Sequence, residues 1–155
     1  MSAQTTYTAN PIAGLPGMPY DINHGNVAWS GAYGNATPCD VGDYLCRLAA
    51  DATTFELPDA AGDVTTAFGG FVMYQPHRVS SQIARYEEVA LFRRGLIWLY
   101  CVDGITADAP GYVRRDGTNN GKIYSGSTGA SLLPGIRCII GCAALGTALF
   151  HVDLG

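Results

Sequence analysis

His151 and Asp153 stand two positions apart near the C-terminus. In an extended strand that spacing puts an imidazole and a carboxylate on one face, where they could do general-base work together. Such a base needs a nucleophile, and the candidates are poor. Ser127, in Gly126-Ser-Thr-Gly129, lacks the GxSxG spacing and strand-to-helix setting of a nucleophile elbow, and Ser80-Ser81 is no better placed. An ordinary exposed face explains His151 and Asp153 more simply. Cys138 and Cys142 point the same way on a strand and could share a metal with His151, but thiols beside Ile139 and Ile140 pack as small hydrophobes. Asp116-Gly-Thr-Asn-Asn-Gly121 half resembles a calcium loop. Ser127 stands where an EF-hand needs its acidic ligand, however, and Lys122 falls inside the loop, so a β-turn is expected. Glu87 and Glu88, as strand neighbours, point to opposite faces and cannot share one reacting atom. The sequence therefore predicts no catalytic residue, no cofactor and no metal site.

The arginines suggest contact rather than catalysis. Arg93-Arg94 and Arg114-Arg115 read as turns whose forked donors could reach an acidic neighbour, against the plainer reading of solvated turn residues. The net charge of -4 and the single lysine leave no basic footprint for phosphates, so no nucleic-acid partner is expected. Charged residues make up 14% of the chain, against about 25% in ordinary soluble domains. So few charges suggest a surface partly covered by a partner. Five cysteines form an odd set without CxxC spacing and are expected to be buried free thiols. The N-terminus carries no secretory signal and no apolar run approaches the roughly 20 residues of a membrane helix, so a protein made in the cytosol with no membrane partner is expected.

These residues need elements to hold them. Residues 1–35 contain Pro11, Pro16 and Pro19 among many Gly, Asn and Thr, with no sustained apolar period, and read as an extended N-terminal arm. Residues 36–155 read as one β core. Within it, 44–48 is read as a strand, although Asp43 could instead cap a short helix, and 55–58 as a short edge piece ended by Pro58. Residues 86–102 read as a β-hairpin turning at Arg93-Arg94-Gly95, with Gly95 supplying positive φ. Its second strand is apolar on both faces, with Leu96, Trp98, Tyr100 and Val102 opposite Ile97, Leu99 and Cys101. The second face must then meet another sheet or another subunit. Strands are also expected at 111–115, 122–124, 136–144 and 147–154. Many short strands with Gly-rich turns predict an all-β fold, a β-sandwich or small jelly-roll-like barrel.

Taken in order, seven stretches carry a family resemblance: Gly14-Leu-Pro-Gly17 with Asp21, Asp40-Val-Gly-Asp-Tyr-Leu45, Phe68-Gly-Gly-Phe-Val72, the apolar 88–99 stretch, Pro110-Gly-Tyr-Val113, Leu133-Pro-Gly-Ile-Arg137 and Gly146-Thr-Ala-Leu-Phe-His-Val-Asp-Leu154. Together they resemble the structural cement, or capsid decoration, proteins of tailed bacteriophages. The cysteine content and the long 51–68 segment depart from the family's simplest pattern. The resemblance implies a non-enzymatic virion protein, made in the bacterial cytoplasm, that docks on the capsid exterior as a homo-oligomer and bridges major capsid proteins. A trimer is favoured slightly over a dimer. The residues expected to touch capsid or sister subunits are Pro16, Met18 and Tyr20 in the arm, with Arg93, Arg94, Arg114 and Arg115. The competing readings are a receptor- or glycan-binding β-module, with Trp29 as part of an aromatic platform, and a small hydrolase using His151 and Asp153.

Overall fold

The longest strand is β7, Glu88–Cys101, in the stretch where the sequence predicted a hairpin. A computed structural model describes residues 14–20, 27–48, 50–51, 53–65, 69–76 and 80–155. Residues 93–95 do not reverse the chain. Gly95 does take positive φ, at 120°, and a register shift opposite Phe92 and Arg94 leaves Arg93 as an extra residue. Turn-like residues here make a bulge, which re-aims a strand without ending it. The strand continues because each half finds partners elsewhere in the chain.

The first half of β7 pairs with β1 (Val27–Tyr33) and β5 (Gly69–Val72). Between them lie β3 (Tyr44–Arg47) and β4 (Thr54–Glu56), and β4 pairs in parallel with β1. The five strands close a small barrel around Tyr33, Leu45, Phe55, Val72, Val89 and Leu91. The second half of β7 pairs with β11 (Gly146–Asp153), which pairs with β10 (Ala130–Ile140), then β8 (Pro110–Arg114) and β9 (Ile123–Tyr124). A parallel bridge from Ile123 to Cys101 closes this second barrel. Its core includes Ile97, Leu99, Val113, Ile123, Ile136, Ala148, Phe150 and Val152. The expected all-β barrel is therefore built as two barrels sharing one strand.

The bulge explains how one strand serves both. Val89 and Leu91 face the first core, whereas Phe92 on the other face belongs to the second. One extra residue at Arg93 reverses the alternation, so the odd positions Ile97, Leu99 and Cys101 then join Phe92 in the second core. β3 and β5 are shared walls of the same kind. Leu45 and Val72 face one core, and Tyr44, Cys46 and Phe71 the other. Part of the low charge content is thus accounted for inside the chain.

On the other face of β7's second half, Trp98 is covered by residues 14–20, while Leu96, Tyr100 and Val102 stay half-buried. Gly17 N–H donates to the Trp98 carbonyl at 2.7 Å, Trp98 N–H to that of Met18 at 3.0 Å, and Tyr20 N–H to that of Leu96 at 2.9 Å. Trp98 is 2% exposed. Gly14 lies against its indole, where a Cβ would come within 2.3 Å of Cδ1, and Tyr20 meets the ring edge-on. Within the stretch read from sequence as an arm, 14–20 and β1 therefore pack on β7. Residues 1–13 and 21–26 lie outside the described residues.

Smaller differences have local causes. A one-turn helix, α1 (Ala61–Thr65), was not anticipated; the Asp63 carboxylate accepts the N–H groups of Asp59 and Ala60, and Val64 enters the second core. β10 starts earlier than expected, and its Pro134-Gly135 falls in the register shift facing β8, where a strand tolerates proline. Cys39–Asp40 and Gln82–Ile83 form a separate two-stranded pair, β2 and β6.

Candidate functional site

The catalytic candidates are not brought together. His151 and Asp153 are both exposed on β11, but Asp153 pairs with Arg94 (Oδ1 to Nε 3.4 Å), and His151 stands between Arg137 and Leu96 on the adjoining strands. A cavity of about 310 Å³ between α1 and the chain end is lined by Asp153, Arg93 and Leu154, not by His151. Cys138 points into the second core, away from His151, and Cys142 lies beyond β10, bridged to Ile105. Burial pushes the thiols of Cys39, Cys46 and Cys101 up to about 12 and that of Cys138 to about 11, so at neutral pH they carry no thiolate to act as nucleophile. Among the described residues no three ligating side chains converge on a metal position. Glu87 caps its own turn, accepting the Ala84 N–H at 2.8 Å.

The 116–121 turn works through Lys122, its neighbour. Lys122 Nζ reaches Asp43 Oδ1 at 2.7 Å and Asp40 Oδ2 at 2.9 Å. Asp43 is 5% exposed and also accepts the Asp40 N–H. Burial pushes the Asp43 carboxyl up to about 6 against the pull of Lys122, so at pH 7 both partners are charged. This tie joins the β2–β3 turn of the first barrel to the β8–β9 turn of the second. It was missed from sequence because its members lie 79 residues apart.

The seven contact candidates fall into different surroundings. Met18 and Tyr20 are exposed on the segment fixed to β7, with Leu15 beside them, while Pro16 is half-buried against Gly42. Arg93 is 2% exposed, not at a tip; its guanidinium lies 4.2 Å over the Trp29 ring and donates to the Leu154 carbonyl at 2.7 Å. The bulge that replaced the expected turn is what draws it in. Arg94 is exposed beside Asp153. Arg114 bonds Asp116 and the Thr128 carbonyl and lies over Tyr124, and Arg115 donates to Ser131 Oγ at 3.0 Å. The described surface thus offers apolar side chains and arginines on hydrogen-bonded backbone, with no catalytic group assembled among the described residues.

A family model described as structural cement protein (E217 gp24/Pam3 gp6) matches residues 3–153. The chain belongs to that phage cement family. No curated protein sequence matches this cement protein. Its fold is similar to a chain in a structure titled the capsid of Myoviridae phage XM1, with a TM-score of 0.70 and 15% identity over 99% of this chain and 98% of that one. At that identity the likeness concerns the fold. A looser similarity, TM-score 0.46 and 5% identity over 84% of this chain and 96% of the other, is to the head fiber gp8.5 N base of bacteriophage phi29, and nothing is built on it. The cement protein is a structural component of the virion, associated with capsid proteins, and its family membership implies that it is not an enzyme.

Proposed function

We propose that the protein docks on the outside of the expanded phage head as a homo-oligomer, a trimer in preference to a dimer, and bridges neighbouring major capsid proteins. The observation that carries this reading is the cement-family match across residues 3–153. Expansion creates new shell surface, and a protein that binds only the expanded state stabilises it by mass action. Repetition over the shell multiplies modest contacts. Met18 and Tyr20 suit such a contact because their backbone is already fixed to β7, which lowers the ordering cost of docking. We place Pro16, Met18, Tyr20, Arg94, Arg114 and Arg115 in the contact surface. Arg93 drops out of it, being held inside the fold.

The test is to mix purified protein with unexpanded and expanded shells and measure cosedimentation and shell melting. The expected result is near-stoichiometric binding to expanded shells alone, with a raised shell melting temperature. Equal binding to both shell forms, or a few copies confined to the tail, would overturn the proposal.

A further inference from the structure

Two bulky residues among those described hold a left-handed backbone, Tyr86 at φ 69° and Leu145 at φ 58°. That region strains a large side chain, because its Cβ crowds a neighbouring carbonyl. The same two are the most exposed large apolar side chains described, at 75% and 68%. An exposed apolar residue alone needs no explanation, and neither does one strained turn. Their coincidence, twice over, is different. Glycine at either position would relieve the strain and remove apolar surface from water, so folding does not account for these side chains.

Both turns are held firmly. Tyr86 N–H donates to the Tyr33 carbonyl at 2.7 Å, Glu87 N–H to that of Ala84 at 3.1 Å, and the Arg85 guanidinium lies 4.7 Å over the Tyr86 ring. Leu145 N–H donates to the Val102 carbonyl at 3.1 Å, while Ile105 and Cys142 exchange backbone bonds beside it. The first turn precedes β7 and the second is bonded to the residue after it. Fourteen residues of strand give roughly 45 Å of contour between them.

We propose that Tyr86 and Leu145 are anchors, one at each end of β7, that seat in apolar recesses of two neighbouring shell-protein subunits. The proposal rests on the bridging reading above and adds the side chains that do the gripping. Two unlike tips at opposite ends do not form the single self-complementary patch of a two-fold contact between copies, and a head-to-tail contact within the proposed trimer is the rival that self-association of the variants tests. A repeating shell offers each end its own neighbour.

Tyr86→Gly and Leu145→Gly remove each anchor while leaving the residue best suited to that backbone, so each variant should melt at or above the wild-type temperature. Full-length wild type, both variants and the double variant are titrated onto expanded shells assembled from the major capsid protein. Each single variant should decorate about 10²–10³-fold more weakly, and at saturation should raise the melting temperature of the shell by less than wild type does. The double variant should not decorate. Variants that decorate and stabilise like wild type would overturn the anchors and leave bridging intact. Wild type that decorates without raising shell melting would overturn the bridging reading, and the anchors with it. Variants that lose self-association but keep full binding per copy would also overturn the proposal, assigning both tips to contacts between copies.

Discussion

The two barrels share β7 but are held together differently. The second is built chiefly on long strands, β10 and β11 with half of β7, around a large apolar cluster, and short β8 and β9 complete it. The first depends on β3, β4 and β5, none longer than four residues, and a buried polar tie fastens its β2–β3 turn to the second barrel. Short strands bury little surface each, so their closure needs outside support. One barrel serves as the foundation, and the other is a smaller ring fastened to it through β7, through the faces of β3 and β5 that enter the second core, and through a charge pair.

The largest expected effect comes from Phe150→Ala, which should cost about 3–5 kcal/mol by leaving a cavity in the second core. Phe55→Ala removes the same group from the first core and should cost less, because three-residue β4 can relax around the gap. Urea denaturation of both variants tests the ranking, and equal or reversed losses would break the comparison. Lys122→Met comes next, at about 3 kcal/mol at pH 7, since it leaves the Asp43 carboxylate buried without its cation. A neutral result in the same assay would mean that the charge pair is not what joins the barrels.

Two smaller effects sharpen the picture. Gly14→Val places a side chain where the Trp98 ring already sits and should cost about 2 kcal/mol. In a Trp29→Phe background the emission of Trp98 should shift to the red as its cover lifts; unchanged emission would mean that 14–20 does not seal that face. The last effect concerns pH. The Asp43 carboxyl sits at about 6 in the folded state against an ordinary 3.8, so between those values the folded chain binds a proton that the unfolded chain does not. Its contribution to stability therefore rises as pH falls from 7 to 5, by on the order of 1 kcal/mol. Denaturation midpoints should move in favour of wild type relative to Asp43→Asn over that range. No change over that range would mean that the carboxyl keeps its ordinary value in the fold, as in a well-solvated site.

Much of the fold was legible in local residues. The alternation of Ala148, Phe150 and Val152 located β11, and apolar residues between Gly-rich turns located β3 and β8. Arg93-Arg94-Gly95 was misread because the same positive-φ glycine serves a hairpin turn or a bulge, and distant strands decide which. The apolar second face of β7 correctly signalled a cover, but nothing local shows that the cover is 14–20. Of the residues proposed for contact, Met18 and Tyr20 are exposed, whereas Arg93 is buried as a consequence of the bulge, which local sequence does not show. Tyr86 and Leu145 went unnoticed because neither residue type signals a left-handed turn.

The most direct test of the central claim is a cryo-electron microscopy map of expanded heads decorated with the full chain. The account predicts that every copy touches two different shell subunits, with the turn at Tyr86 on one and the turn at Leu145 on the other. Copies that each rest on a single shell subunit would contradict it.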